Sequence, residues 1–211
     1  MASFRVAPIL IVTRVAHTRP PGSFAVAAIL VVAMGLTELF AALSFRDEKL
    51  TLSGVGNFGR VNARLFRGAQ PTKEGLRALA GLGVRVVVRL SLGEEGAAAE
   101  AADVRALGME PLTLPWSVTG EPDRDQIRQF LEVVSDRRHR IVFVHCKKGA
   151  DRTGVMIALS RMAYDGWTPA RAMREMRAFH YHDVFHWHLH ELVEAFPQRL
   201  RLDSALRSAP E

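Results

Sequence analysis

One short stretch constrains this chain more than any other, because it joins an apolar run, a glycine-containing loop and a helix. Residues 141–144, Ile-Val-Phe-Val, predict a strand that is buried on both faces of a sheet. A loop follows and leads into a helix that we expect to begin near Thr153. The first amides of a helix have no partner within it, so a strand followed by a tight loop and a helix forms an anion site. The stretch therefore predicts an α/β sheet that binds an anion at the end of a strand.

The only cysteine of the chain lies in this loop, and an arginine follows six positions later. A cysteine at a helix N-terminus is favoured as the nucleophilic thiolate. A planar guanidinium can hold two phosphoryl oxygens at once, which a lysine cannot do. We therefore predict that Cys146 is a nucleophile and that Arg152 binds phosphate. We expect the Thr153 hydroxyl to hydrogen-bond the departing thiolate and His145 to orient the loop.

Other residues of the same loop are expected to complete a phosphate cradle. The glycines permit the backbone conformations and the close approach that such a cradle needs. The two adjacent lysines are either substrate contacts or solvated surface charges that add positive potential over the site. The predicted substrate-binding residues are Lys147, Lys148, Gly149, Ala150 and Gly154.

The pattern His-Cys-x5-Arg-Thr-Gly resembles the signature of the cysteine-dependent protein tyrosine and dual-specificity phosphatase superfamily. Asn57-Phe58 and the segment from Leu65 to Pro71 resemble the start of the small bacterial and atypical dual-specificity enzymes, and the resemblance covers roughly residues 55–195. It implies a phosphocysteine intermediate on Cys146 that water hydrolyses, with no metal and no other cofactor. It also implies a substrate that is a phosphotyrosine, phosphoserine or phosphothreonine protein or a phosphoinositide.

The proton donor for the leaving oxygen is one of several carboxylates. In the family it is an aspartate on the loop before the helix that precedes the signature strand, and Ser117 and Val118 stand at that place here. Asp151, inside the signature loop, has been proposed as the acid in relatives with the same Asp-Arg pair. Two of the other carboxylates suit the acidic first turn of a helix equally well. The candidates are Asp151, Asp123, Glu121 and Asp125.

Strand and helix patterns alternate through the rest of this region, which predicts a central, mostly parallel sheet flanked by helices. After a short strand or hairpin over 58–67, the predicted elements are helices at 72–82, 97–107, 125–137 and 168–179, a terminal helix, and strands at 84–90 and 109–114. In such sheets the ligand binds at the C-terminal ends of the strands. Cys146 is expected at such an end.

An apolar run of 22 residues, 24–45, precedes this α/β region. At ~1.5 Å per residue it spans about 33 Å, enough to cross the hydrocarbon core, so we predict a single-pass transmembrane helix. A cleaved signal peptide is the competing interpretation, but no clear Ala-x-Ala site precedes Arg46. The predicted organisation is an N-terminal tail at 1–23, the anchor at 24–45, a linker at 46–56, a phosphatase domain at 57–197 and a C-terminal tail at 198–211.

The net charge of +6 suits an anionic substrate or a membrane surface. No basic stripe interleaved with aromatic residues is present, so we do not expect nucleic acid as a partner. The basic residues on the two flanks of the anchor nearly cancel and give no orientation. The anchored bacterial phosphatases that the chain resembles often look exported, which favours the outer face of the inner membrane.

Several histidines cluster near the C-terminus. On one helix His182, His186 and His190 would share a face, which makes a metal site conceivable. No cysteine or compact set of carboxylates joins them, so we favour a packing helix with polar histidines. Two other functions compete with the enzyme: a catalytically inactive phosphate-binding module held at the membrane, and a sulfurtransferase, against which the Arg-Thr-Gly ending argues.

Overall fold

A mixed five-stranded sheet forms the centre of the computed structural model, which describes residues 49–92, 96–135, 140–182 and 186–206. The strands are β1 Gly59–Asn62, β2 Leu65–Ala69, β3 Val84–Ser91, β4 Glu110–Trp116 and β5 Ile141–Cys146. The helices are α1 Lys73–Gly81, α2 Ala97–Ala106, α3 Arg124–Ser135, α4 Asp151–Tyr164, α5 Pro169–Ala178 and α6 Trp187–Leu202, and a 3₁₀ turn covers Ser204–Leu206.

The spatial order of the strands is β1-β2-β5-β3-β4. Strands β2, β5, β3 and β4 pair in parallel, and β1 pairs antiparallel with β2 as an edge hairpin. The prediction of a mostly parallel sheet flanked by helices is confirmed. Strand β5, which carries the predicted nucleophile at its end, lies in the middle between β2 and β3.

Helices cover both faces of the sheet because successive side chains of each buried strand point to opposite faces. On one face, Val87 and Phe143 pack with side chains of α1 and α2. On the other face, Val86, Val88 and Val144 pack with side chains of α3, α4, α5 and α6. Helix α4 is enclosed, with every side chain from residue 153 to residue 162 buried.

Local capping explains where the helices begin and end. The Thr72 hydroxyl accepts a hydrogen bond from Gly75 N at 3.1 Å, and the Thr168 hydroxyl accepts one from Arg171 N at 3.3 Å. Helices α1 and α2 are followed by left-handed glycines, as the sequence predicts. The predicted helices and strands of the α/β region are therefore found with bounds within a few residues of those expected.

Packing extends on both sides of the span 57–197. Val55 is 6% exposed and packs in the core beside α1. At the other end, α6 continues to Leu202, and Leu206 is buried against the core. Parts of the predicted linker and of the predicted C-terminal tail therefore contact the α/β domain.

The membrane prediction concerns a part of the chain that the structure does not describe. Within the four described ranges, none of the helices has the length and apolarity that crossing a bilayer requires. The expected anchor at 24–45 and the tail at 1–23 both lie outside those ranges.

Candidate active site

Cys146 lies at the C-terminal end of the central strand β5 and is 3% exposed. It forms part of the wall of a cavity of about 480 Å³. The cavity is lined by Val118, Cys146, Lys147, Lys148, Asp151, Arg152, His182 and His186. The structure therefore gathers the predicted nucleophile, the predicted phosphate-binding arginine, both loop lysines and one candidate acid around a single cavity.

Three side-chain or backbone groups from the N-terminal part of the domain hold the loop after β5 from behind. The carbonyls of residues 147, 148 and 149 are their acceptors. Gln70 N donates to the carbonyl of residue 147 at 3.4 Å. Asn57 Nδ2 donates to the carbonyl of residue 148 at 3.4 Å and to the carbonyl of residue 149 at 3.0 Å. Arg67 Nη2 also donates to the carbonyl of residue 149, at 3.2 Å.

The orientation of these carbonyls fixes the orientation of the amides. In a trans peptide the N–H points opposite to the C=O of the same plane. Since the carbonyls of 147–149 are bound at the rear, the N–H groups of 148–150 point forward, to the cavity side. The first amides of α4 add to them, because the first intrahelical bond runs from Gly154 N to Ala150 O. The loop thus presents a row of donors beside Cys146.

The rear contact is close enough to require glycine. Gly149 has φ +68°, and a Cβ placed on it would lie 2.3 Å from the carbonyl carbon of Gly68 in β2. Arg67, also in β2, is fully buried and stacks its guanidinium 3.9 Å from the centre of the Phe179 ring. The loop is therefore pressed against β2 and braced by a buried cation.

A second buried network lies beneath His145. The His145 Nε2 atom is 2.8 Å from Glu100 Oε1, and the other oxygen of Glu100 accepts from Arg89 Nη1 at 2.6 Å and from Gln70 Nε2 at 3.0 Å. Burial alone would raise the pKa of Glu100, but the hydrogen bonds and charges of His145 and Arg89 outweigh it and hold that pKa below its ordinary value. The structure thus gives His145 a partner, Glu100, that the sequence did not identify.

Arg152 is positioned by the ends of the neighbouring strands. Its Nη1 donates to Trp116 O at 3.3 Å and to Leu90 O at 3.5 Å, at the C-terminal ends of β4 and β3. Arg152 also forms part of the cavity wall. One edge of the fork is therefore fixed to the sheet in the same cavity as Cys146.

Asp151, the first residue of α4, is held by the segment between α5 and α6. Its Oδ1 accepts from His182 N at 3.0 Å and lies 3.0 Å from His182 Nδ1. Its Oδ2 lies 3.9 Å from His186 Nε2. The carboxylate is mostly buried, with 13% of its side chain exposed. An acidic residue and two imidazoles thus meet at the wall of the cavity.

The other candidate acids lie elsewhere. Asp123 caps α3: its Oδ1 accepts from Gln126 N at 2.8 Å, while Gln126 Oε1 accepts from Asp123 N at 2.9 Å. Glu121 pairs with Arg199 at 3.0 Å, and Asp125 pairs within α3. None of these three side chains lines the cavity.

Three further predicted residues, Thr153, Ala150 and Gly154, are buried. Thr153 is fully buried, and its hydroxyl makes no hydrogen bond within the described ranges. Ala150 is also buried, and a Cβ on Gly154 would meet the Met176 side chain at 3.3 Å. These residues do not form the cavity wall, in contrast to Lys147 and Lys148.

The structure does not place His182, His186 and His190 on one helix. Helix α5 ends at Ala178, His180 takes φ +65°, and α6 begins only at Trp187. His182 and His186 therefore precede α6 and turn towards the cavity. The sequence shows that the histidines cluster, but the assumption of one continuous helix does not give their positions at the cavity. Within the described ranges no group of histidine, cysteine and carboxylate side chains is arranged to hold a metal ion.

Comparison with known proteins gives a family match over residues 54–185, to the model described as DSP-PTPase phosphatase fused to NAD+ kinase. The dual specificity protein phosphatase TpbA of Pseudomonas aeruginosa is 29% identical over 121 residues, which are 57% of this chain and 53% of TpbA. The chain thus spans about half the length of this curated relative.

Solved structures are similar in fold. A crystal structure of P. aeruginosa TpbA in complex with pTyr superposes with a TM-score of 0.58 at 20% identity, over 75% of this chain and 98% of that one. The core catalytic domain of the PP-IP phosphatase Siw14 from S. cerevisiae, in complex with citrate, gives a TM-score of 0.61 at 19% identity, over 73% and 94%. At these identities the likeness concerns the fold.

Proposed function

The chain belongs to the family of DSP-PTPase phosphatases described as fused to NAD+ kinase, and from this premise we propose that it is a phosphomonoester hydrolase acting through a phosphocysteine intermediate. The observation that carries the proposal is the row of amides of residues 148–150, which face away from the rear carbonyl contacts and lie beside the cavity that Cys146 and Arg152 line. Amides and a guanidinium arranged in this way suit the equatorial oxygens of a phosphoryl group.

The first step is attack of the Cys146 thiolate on phosphorus. The phosphoryl group binds to the loop amides and to the free edge of Arg152, which places phosphorus in front of the sulfur. Charge that develops on the equatorial oxygens meets fixed donors, which need no reorganisation during the reaction. The ester oxygen leaves on the side opposite the sulfur and takes a proton from an acid at the cavity.

The second step is hydrolysis of the phosphocysteine. Water attacks phosphorus from the side that the alcohol has left, and the sulfur departs as a thiolate. The loop amides and the N-terminus of α4 stabilise that thiolate. Arg152 keeps the phosphoryl group in line through both steps.

The substrates that we propose are phosphotyrosine, phosphoserine or phosphothreonine on proteins, or phosphoinositides. One similar structure, that of TpbA, holds pTyr, and a second belongs to a PP-IP phosphatase. The exposed Lys147 and Lys148 on the cavity wall suit a substrate with negative charge beyond the reacting phosphate.

The test is turnover of p-nitrophenyl phosphate by the full chain in detergent, followed by a panel of phosphotyrosine, phosphoserine and phosphothreonine peptides and phosphoinositides. We expect turnover that Cys146→Ser abolishes and that a chelator leaves unchanged, with a phosphoenzyme trapped by acid quench in the wild type. Equal turnover by Cys146→Ser, or none by a folded wild-type protein, would contradict the proposal.

We also propose that residues 24–45 anchor the enzyme in a bacterial inner membrane, with the catalytic domain on the outer face. The support is the predominantly apolar run of 22 residues, in which Glu38 is the one charged residue. Fractionation of the full chain against a chain that begins at Arg46 tests the anchor, and protease access to the catalytic domain in spheroplasts tests its side. A full chain that stays in the supernatant after sedimentation of membranes would contradict the anchor.

A further inference from the structure

We propose that His182, held by Asp151, is the general acid that protonates the leaving oxygen and then the base that activates water. This inference rests on the proposed function, because it names the proton donor of that reaction. It differs from the expectation for the family, in which a carboxylate donates the proton. Here Asp151 becomes a positioning residue and the imidazole becomes the catalytic one.

The hydrogen bonds of Asp151 fix the proton on one ring nitrogen. Its Oδ1 lies 3.0 Å from both the backbone N and the Nδ1 of His182. An ionised carboxylate only accepts hydrogen bonds, so Nδ1 must carry a hydrogen. Nε2 is then the nitrogen that can exchange a proton with a molecule in the cavity, of which His182 forms part of the wall. This is how a carboxylate sets the tautomer of a catalytic imidazole and stabilises its charged form.

The position of His182 suits a group that meets the leaving oxygen. With the sulfur, phosphorus and leaving oxygen in line, the leaving oxygen lies away from Cys146. The His182 side chain is 42% exposed while still lining the cavity, as expected for a group at its mouth. The Asp151 side chain is more enclosed, at 13% exposure, and its Oδ1 is taken up by His182.

The charges around this imidazole belong to three parts of the chain. They come from the loop after β5, from the start of α4 and from the segment before α6. The titratable or charged side chains that line the cavity with His182 are Cys146, Lys147, Lys148, Asp151, Arg152 and His186. A bound phosphate dianion and Asp151 offset the cations, so the imidazolium forms beside two anionic groups.

The imidazole gives up one proton and regains another within one turnover. The thiolate forms the S–P bond, the P–O ester bond breaks, and the leaving alkoxide or phenoxide takes the Nε2 proton of the imidazolium. The alcohol departs and leaves a neutral imidazole. Water then attacks phosphorus and gives a proton to Nε2, the S–P bond breaks, and inorganic phosphate leaves with the thiolate and the imidazolium restored.

The experiment compares two substrates and several full-length variants. For His182→Gln we expect kcat on a phosphoserine peptide to fall about 10²–10³-fold, because its alkoxide leaves poorly without a proton. We expect less than about a 10-fold loss on p-nitrophenyl phosphate, because its phenoxide leaves well without one. The alkaline limb of kcat against pH should disappear. His182→Asn should behave alike, since its amide can still donate to Asp151.

Two further variants separate the roles of the pair. Asp151→Asn should lose activity with the same dependence on leaving group, and the double variant with His182→Gln should lose no more than either one, because the two act as a unit. His190→Gln is the matched control, because His190 is also partly exposed but does not line the cavity. It should keep both activities within about 2-fold.

The outcomes distinguish this inference from the proposed function. If both His182 variants keep wild-type rates on the phosphoserine peptide while Cys146→Ser is inactive, the inference is wrong and the phosphocysteine mechanism stands. If Asp151→Asn removes the alkaline limb while the His182 variants keep it, Asp151 is itself the acid. Equal losses on both substrates would show that His182 only supports the fold, which also overturns the inference.

Discussion

The loop of residues 147–150 has two sides that are built on opposite principles. On the front, towards the cavity, stand partly exposed groups from the signature segment and the α5–α6 connection. On the rear stand buried polar groups from the first half of the domain, among them Arg67 and Glu100. The front supplies the reacting groups, and the rear fixes where the loop carbonyls point. The comparison shows that hydrogen bonds behind the loop determine the direction of the amides in front of it.

This division predicts different consequences for substitutions on the two sides. A change on the front should lower activity and leave the free energy of unfolding nearly unchanged. A change on the rear should lower the free energy of unfolding, and activity with it, because the carbonyls of the loop lose their partners. The four substitutions that follow test the division, beginning with the largest expected effect.

On the rear, Gly149→Ala should destabilise the fold by about 3–5 kcal/mol, the sum of left-handed strain and overpacking against backbone. The matched control is Gly166→Ala, at φ +66° with nothing within 4 Å of the added methyl group. It should cost about 1–2 kcal/mol, for the backbone conformation alone. Urea unfolding of the two variants measures the difference. Equal losses would mean that the loop does not press on β2.

On the front, Arg152→Lys should reduce kcat/KM about 10²–10³-fold. The arginine can hold two phosphoryl oxygens with one edge of its guanidinium while the other edge binds the sheet, and a lysine cannot. The free energy of unfolding should change by less than about 1 kcal/mol. Steady-state kinetics with p-nitrophenyl phosphate and urea unfolding on the same preparation check both statements. A large loss of stability with little change in kcat/KM would reverse the proposed division.

The rear network under His145 should respond to pH. The pKa of Glu100 is held below its ordinary value, so the folded state favours its ionised form. Its contribution to stability is complete above the unfolded pKa of about 4.3 and is lost as pH falls through the lower folded pKa. Glu100→Gln should cost about 2–3 kcal/mol at neutral pH. The gap between the variant and the wild type should narrow on acidification.

Urea unfolding at a series of pH values from neutral to acid measures this gap. A gap that stays constant down to the lowest pH at which both proteins fold would contradict an ionised Glu100 in this network. Gln70→Ala is a useful companion, because it removes one neutral donor to Glu100 and leaves the charge in place. Its effect should be smaller than that of Glu100→Gln and should change less with pH in the same range.

The smallest expected effect is that of Asn57→Ala, at about 1–2 kcal/mol for the hydrogen bonds to the loop carbonyls. Asn57 has φ +47°, so part of the loss comes from the backbone. Asn57→Gly removes the amide but tolerates that backbone, and the difference between the two variants measures the strain. Both variants should have a lower melting temperature and a lower kcat/KM than the wild type. No change in either quantity would remove Asn57 from the rear support.

The sequence predicted the front of the loop better than the rear. Cys146, Arg152 and Asp151 lie within seven residues, so a local pattern of strand, loop and helix was enough to bring them together. Arg67 donates to a carbonyl 82 residues away, and Asn57 to one 92 residues away. Local periodicity in the sequence cannot predict a pairing over such a distance. The burial of an arginine such as Arg67 can be recognised only once the register of the sheet is known.

Helical spacing does not hold for the segment after α5, for a different physical reason. Helical spacing groups residues four apart only if the helix continues through them. The left-handed backbone of His180 follows the end of α5, and the chain turns before α6 begins. His182 and His186 consequently reach the cavity from a connection. The expected packing helix is found as α6, in which Leu189, Leu192, Val193 and Phe196 are buried.

The long separations that brace the loop have a consequence for how the protein acquires activity during folding. Closing a contact across 82 to 92 residues is entropically costly, and topologies dominated by such contacts form slowly. We expect a refolding chain to regain helical circular dichroism before it regains turnover, because the hairpin of β1 and β2 must dock on β5 first. Catalytic competence would then be among the last properties acquired, and recovered rate constants would report the docking of that hairpin.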